Sequence, residues 1–184
     1  MNEFLTDVQE LRRRARAHMQ EGPVTAGYRA DRERVIAVLN EVLATELVCT
    51  LRYRRHYYMA QGIHGEPVAQ EFLQHANEEQ SHADMVAKRI TQLRGEPDFN
   101  PQTLTSRSHA EYKEGHSLVE MIQEDLVAER IAIESYSEII RWLNNDDPTT
   151  RILMEEILKV EEEHADDLTN LLTTLDPQKP PQNK

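Results

Sequence analysis

The chain has a single cysteine in 184 residues, only six glycines, and 5% aromatic residues. One thiol, Cys49, rules out a disulfide framework within one chain and any CxxC zinc or rubredoxin-type iron site. So few glycines and aromatics give the sequence an almost entirely helical character. Also missing is any apolar run near the ~20 residues that a membrane-crossing helix needs, so no membrane partner is expected. The start, MNEFLTDVQELRRRARAH, has no apolar core behind a basic stretch. No secretory signal is expected there, and the cytoplasm is the expected compartment. Basic residues are the minority, 21 against 33 acidic, for a formal net charge of -12. That balance disfavours general nucleic-acid binding and suits a protein that handles cations. At this length one domain with a sizeable core is expected.

What is present is helical periodicity. Four stripes of apolar residues run over about 31–61, 67–94, 117–143 and 149–175. The first passes through Val35, Leu39, Val42, Leu43, Cys49, Tyr53 and Tyr57, and Gly62 with HGEP ends it. The second uses Phe72, Ala76, Val86, Ile90 and Leu93, the third Ile122, Leu126, Ile133, Tyr136 and Ile140, the fourth Leu153, Ile157, Val160, Leu168 and Leu171. Each spans roughly 40–47 Å as a helix. Short connections pair the first helix with the second, and the third with the fourth, as antiparallel hairpins. Between the hairpins lies GEPDFNPQTLTSRSHAEYKEGH, far longer than an ordinary helix–helix turn. Such a link predicts a crossover along the bundle, with the third helix roughly parallel to the second. The expected organisation is a short capped N-terminal helix from Thr6 within residues 1–30, a bundle over 31–175, and a disordered proline-rich tail over 176–184.

Charge appears where the stripes should be apolar. The chain contains two Glu-x-x-His pairs, Glu79/His82 and Glu161/His164, and positions i and i+3 share a helix face. Glu79 lies seven residues after Phe72 and seven before Val86. His164 lies seven after Ile157 and seven before Leu171. The other two helices each carry one glutamate in the same mid-helix register: Glu46 between Leu39 and Tyr53, and Glu129 between Ile122 and Tyr136. One Glu-x-x-His on a helix is more often a solvated pair than a ligand pair. Four buried carboxylates, one from each helix, need a shared partner, because an ionised carboxylate in an apolar layer is costly unless paired or metal-bound. The pattern Glu, turn, Glu-x-x-His occurs twice, as a two-fold site with one metal per half requires. Four carboxylates against two divalent cations leave no net charge. This is the recipe of di-metal carboxylate four-helix bundles with a long crossover.

At these residues the chain resembles the bacterioferritin branch of the ferritin-like superfamily. LNEVLATELVCTLRY, EEQSHADMVAKRI, EDLVAERIAIESY and EILKVEEEHADDL match its four helical motifs across about residues 35–175. The resemblance implies an all-α ferritin-like bundle with Glu46 and Glu129 as terminal ligands of one iron each. It implies Glu79 and Glu161 as bridges, His82 and His164 as nitrogen ligands, and Tyr53 as a tyrosine beside the centre able to supply an electron. A packed core tyrosine is the plainer alternative for Tyr53. There are departures. The haem-ligating methionine that follows the bridging glutamate in bacterioferritins is Gln80 here, which argues against haem. No fifth helix like that of the larger cages is expected, and an arm carries Arg12, Arg13, Arg14 and Arg16. The last two features are similar to Dps-type mini-ferritins, which form twelve-subunit shells. The overall resemblance is to the Dps-like group that joins a bacterioferritin-type centre to a dodecamer-type subunit. Some of that group carry a cysteine pair near the site, which Cys49 alone cannot supply.

The implied activity is ferroxidation: Fe(II) oxidised by O2 or H2O2 at two iron sites within one subunit, in a homo-oligomeric cage that stores iron and limits oxidative stress. Manganese in place of iron, as in a di-manganese catalase, and a di-iron oxygenase are rival enzymes. A DNA-shielding role for the arginine arm is a third reading. Glu3, Asp7 and Glu10 flank that arm, which favours ion pairing and packing on a neighbouring subunit over DNA.

Overall fold

The computed structural model of the chain describes residues 6–62 and 65–175. Among them are six α-helices and no strand: α1 (Val8–Ala15), α2 (Arg32–Met59), α3 (Gly65–Gln92), α4 (Leu104–Arg107), α5 (Leu118–Leu143) and α6 (Pro148–Leu175). The four long ones form the bundle. Helix α2 pairs with α3 and α5 with α6, and the α2–α5 and α3–α6 faces close the bundle. No described helix is long and apolar enough to cross a membrane.

Local chemistry sets the ends. The Asp31 carboxylate caps α2 by accepting from the Arg34 N–H, and the Ser117 hydroxyl caps α5 by accepting from the Glu120 N–H. Helix α3 begins at Gly65, two residues earlier than the sequence pattern suggests. Pro67 sits in its first turn, where a missing N–H costs nothing. The N-terminal helix is capped by Asp7 rather than Thr6, because the Asp7 carboxylate accepts from the N–H groups of Gln9 and Glu10. It also ends sooner than expected. His18 turns into the left-handed region (φ 54°), and a 3-10 turn, Met19–Glu21, leads to Gly22 at φ 58°. A side chain at Gly22 would also strike the Arg94 guanidinium. Helix α1 buries none of its residues, and Glu10 binds both Arg13 and Arg14 at 2.7 Å. Val24, Tyr28 and Ala30, just before α2, already pack on the bundle core.

The crossover runs the length of α2 and is laced to it. It leaves beside the N-terminal half of α2, where Gly95 lies so close to Ile36 that a Cβ would come within 2.7 Å of it. Asn40 binds the Glu96 carbonyl and the Asp98 N–H, Arg107 reaches the Asn40 carbonyl, and Thr45 accepts from the His109 N–H. At the far end Arg52 and Arg55 donate to the carbonyls of Glu111 and Glu114. These anchors carry the chain from one end of the bundle to the other and make α5 parallel to α3. Helix α4, a single turn inside the crossover, was not foreseen in the sequence; its Leu104 packs on Ala44 and Val48. The expected tail over 176–184, and with it the expected lack of a fifth helix, lies outside the described residues.

The core is divided. A large apolar cluster at the N-terminal end of α2 includes Val35, Leu39, Leu43, Val86, Ile90, Ile139, Met154 and Ile157. A smaller one at the other end gathers Val68, Phe72, Ala76, Met121, Ile122 and Leu168. Buried aliphatic and aromatic side chains contribute about 1.5–3 kcal/mol each. They carry the stability against which the polar layer between them is set.

Candidate metal centre

The layer between the two clusters holds the six residues singled out by spacing. Glu46, Glu79, Glu129 and Glu161 are each 1% exposed, His164 is 2% and His82 is 5%. Each long helix supplies one glutamate, and α3 and α6 supply the histidines one turn further on. The donor atoms fall into two groups that could each hold an ion: Glu46, Glu79, His82 and Glu161, and Glu79, Glu129, Glu161 and His164. Glu79 and Glu161 belong to both.

Both histidines turn Nδ1 inward. His82 Nδ1 lies 3.0 Å from Glu161, 3.4 Å from Glu46 and 3.7 Å from Glu79. His164 Nδ1 lies 3.3 Å from Glu79, 3.6 Å from Glu161 and 3.9 Å from Glu129. Close as they are, these atoms are not aligned as hydrogen bonds. Glu46 Oε2, Glu79 Oε1, both Glu161 oxygens and both Nδ1 atoms are buried without a hydrogen-bond partner. Buried polar atoms are rarely left so, and six in one layer that converge rather than pair are the arrangement a cation satisfies. The donor set of carboxylates and imidazoles suits Fe or Mn.

Electrostatics follows from burial. Burial and the nearby Glu79 push Glu46 up to about 8, against the pull of His82. Burial, Glu79 and Glu161 push Glu129 well up. Burial also raises Glu79 and Glu161, but their histidine neighbours outweigh it and hold both below the usual carboxylate range. Burial lowers His82 and His164, and the surrounding carboxylates reverse this, taking His164 up to about 12 and His82 higher still. The raised groups, Glu46, Glu129 and the two histidines, thus favour their protonated forms, and Glu79 and Glu161 favour the carboxylate. Two divalent cations set against the four carboxylates would also bring the layer to neutrality.

Two tyrosines complete the layer crosswise. Tyr53 of α2 donates to Glu129 of α5, and Tyr136 of α5 donates to Glu46 of α2 at 2.5 Å. Burial and the adjoining carboxylates raise both phenols well above their ordinary value, so they remain donors. Each tyrosine stands seven residues after the glutamate of its own helix and holds the glutamate of the other. Tyr136 was visible in the sequence only as a spacing mark; its match to Tyr53 was the signal.

Other residues were missed. Glu78 accepts from His164 Nε2 at 2.8 Å and fixes which nitrogen faces inward. His75, four residues before Glu79, stacks on the His164 ring at 3.9 Å and lies 3.3 Å from the Tyr53 hydroxyl. Burial and His164 push His75 down to about 3. Beyond these, Asp125 sits wholly buried between Arg52 (2.8 Å) and His56 (2.7 Å). A cavity of about 300 Å³ on the α3–α6 face is lined by His82 and His164 with Glu78, Glu156, Glu163 and Asp167. Glu162 and Glu163 are exposed, as their helical phase requires. Gln80 is half-buried and turned to Asp84. Cys49 is buried one turn from Glu46, with its thiol raised by burial.

A bacterioferritin of Desulfovibrio desulfuricans is 30% identical over 141 residues, 76% of this chain and 75% of the relative. Among solved structures, a dodecameric thioferritin of Bacteroides fragilis, described as a bacterioferritin-related protein, superposes with a TM-score of 0.78. It is 31% identical, with 85% of this chain and 94% of that one covered. The Mycobacterium tuberculosis bacterioferritin gives a TM-score of 0.69 at 27% identity, over 78% of this chain and 87% of that one. The model of the ferritin-like domain matches residues 36–177, which spans both hairpins and the crossover between them. The chain therefore belongs to the ferritin-like family, within its bacterioferritin-type branch.

Proposed function

We propose that this chain is a ferroxidase whose substrate is Fe(II), bound as a pair within one subunit. The observation that carries the proposal is the overlap of the two donor groups: two four-residue sets share Glu79 and Glu161, as bridging carboxylates do. In this reading Glu46 and His82 hold one ion and Glu129 and His164 the other, each histidine through Nδ1. Glu79 and Glu161 touch both ions. Tyr136 and Tyr53 aim the two terminal carboxylates, and Glu78 aims His164. Tyr53, beside Glu129, is the side chain placed to give up an electron. Two Fe(II) ions together release two electrons, enough to reduce one O2 to H2O2, or one H2O2 to two waters, with two protons taken up. The layer's carboxyl and imidazole groups, which lose protons as the ions enter, stand in reach of that exchange.

The assembly belongs to the same proposal. The Bacteroides fragilis relative is described as dodecameric, and this chain covers nearly all of it, which favours a twelve-subunit cage over a larger one. Iron oxidised in the centre then passes to the interior for storage, and haem has no place in the scheme.

The test is anaerobic addition of Fe(II) to the assembly, followed by O2, with iron counted per subunit. A ferroxidase that stores turns over many irons per subunit and keeps them soluble. Saturation at two irons would point to an oxygenase, and preference for Mn with peroxide dismutation to a catalase.

A further inference from the structure

Helix α2 buries a hydroxyl that bonds to nothing. Thr50 is 4% exposed, and its Oγ1 has no hydrogen-bond partner. A threonine inside a helix has a partner at hand, the carbonyl four residues back. Thr45, Thr169, Thr173 and Thr174 all donate to that carbonyl, at 2.7–3.0 Å. Thr50 does not use the Glu46 carbonyl, so its hydroxyl is turned elsewhere. Packing gives no reason for a hydroxyl at this position. The counterpart in α5, 83 residues on, is Ile133, a β-branched side chain without one. A buried hydroxyl left unpaired is costly, and native structures keep few of them.

Position says what the hydroxyl can meet. Thr50 stands four residues after Glu46 and three before Tyr53, on the same face of α2. Both of those side chains enter the ligand layer, where Glu46 accepts from Tyr136 and Tyr53 donates to Glu129. Arg54, one turn further on, binds Asn77 of α3, so Thr50 lies on the side of the stripe nearer α3, the helix of Glu79. Glu46 Oε2 and Glu79 Oε1 are themselves without hydrogen-bond partners, so the hydroxyl donates to neither. With cations in the layer, those oxygens direct their lone pairs at metal. The Thr50 proton then still lacks an acceptor, and the protein offers none. A small molecule with an oxygen lone pair, entering the layer, supplies one.

We propose that Thr50 is the hydrogen-bond donor that holds the oxidant, O2 or H2O2, against the Glu46 half of the centre. The inference rests on the ferroxidase reading and adds a residue to it. An oxygen that gains electrons becomes a stronger acceptor, so the bond tightens as the oxidant is reduced. The hydroxyl keeps its own proton, and the electron and proton counts of the reaction are unchanged.

Azide, a small anion with terminal lone pairs, is the probe. It is titrated into the intact assembly loaded with two Co(II) per subunit and followed by visible absorption. Thr50→Val keeps the shape and removes the hydroxyl. It should bind Co(II) in the same number, weaken azide by roughly three- to tenfold, and slow iron oxidation by O2 by a similar factor. Thr50→Ser should restore both. The metal-free Thr50→Val assembly should melt no lower than the wild type, because no partner within the protein is lost. A lowered transition would show the hydroxyl bonded within the fold and overturn the proposal. Equal azide affinity in the wild type and Thr50→Val, or equal loss in Thr50→Val and Thr50→Ser, would also overturn it and leave the ferroxidase reading standing. Fewer than two Co(II) per wild-type subunit would overturn both.

Discussion

The two ends of the bundle are related by the repeat of the hairpins, yet they are built differently. Adding 82 to a position in α3 gives its counterpart in α6, and adding 83 to one in α2 gives its counterpart in α5, as Glu79 maps to Glu161 and Glu46 to Glu129. On the side of His164 stand His75, Glu71, Glu78 and Asp167. Their counterparts on the side of His82 are Ile157, Leu153, Val160 and Met85. The buried Asp125–Arg52–His56 group likewise corresponds to Val42, Ser135 and Ile139 in the other half. The ligand layer and its two tyrosines are symmetric, and the further polar groups beside it are not. One end carries the larger apolar cluster and supplies stability. The other end carries these additional polar groups, and its apolar cluster is smaller.

The largest expected effect tests what the halves share. With Glu46 held at about 8 and Glu129 and both histidines raised, loading two cations should release several protons per subunit. Because these groups are raised and must deprotonate to bind, affinity weakens as pH falls. The overall constant for the pair should drop by more than tenfold per pH unit below about 8. Calorimetry in two buffers of different ionisation enthalpy gives the count.

Removing a shared ligand comes next. Glu161→Ala takes a donor from both ions and should slow rapid iron oxidation by at least ~100-fold, more than loss of an outer partner costs. Glu162→Ala, one position further round the helix, should leave the rate nearly intact in the same stopped-flow assay. Equal loss from both means that the helical phase is wrongly assigned.

The tyrosines sharpen the comparison itself. Tyr136→Phe and Tyr53→Phe should each weaken one of the two ions by ~10–100-fold in a Co(II) titration. Tyr53→Phe should cost more, because its hydroxyl serves Glu129 and His75 together, while Tyr136 serves Glu46 alone. Identical losses would show that the asymmetry has no energetic weight. The smallest effect belongs to Glu78→Gln. The amide still accepts from His164 Nε2 but carries no charge, so up to about tenfold weaker binding of the second ion is expected. Val160→Thr, at the matching position, should do nothing measurable.

Much of this was legible in the residues, and what was not has physical reasons. The four long helices follow from apolar spacing, and the crossover from its length. The six donors were marked by charge falling in register with leucine and isoleucine, a contradiction that only burial with a partner resolves. Glu162 and Glu163 separate from Glu161 by phase alone. His75 escaped notice because its role depends on α6: nothing within α3 announces that Asp167 and the His164 ring lie across from it. Glu78 looked like any solvated glutamate until the His164 ring showed which nitrogen needed a partner. The short helix α4 has four residues and no periodicity to read. The arm's shortened helix turns on His18, whose left-handed backbone carries no composition signal.

The most direct test of the centre is the anomalous scattering of Fe or Co in crystals loaded under anaerobic conditions. The account predicts two peaks inside each subunit, ~3.5–4 Å apart as in two-metal sites, both in contact with Glu79 and Glu161 and each with one Nδ1. A single peak in the layer, or paired peaks at the boundary between subunits, would contradict it.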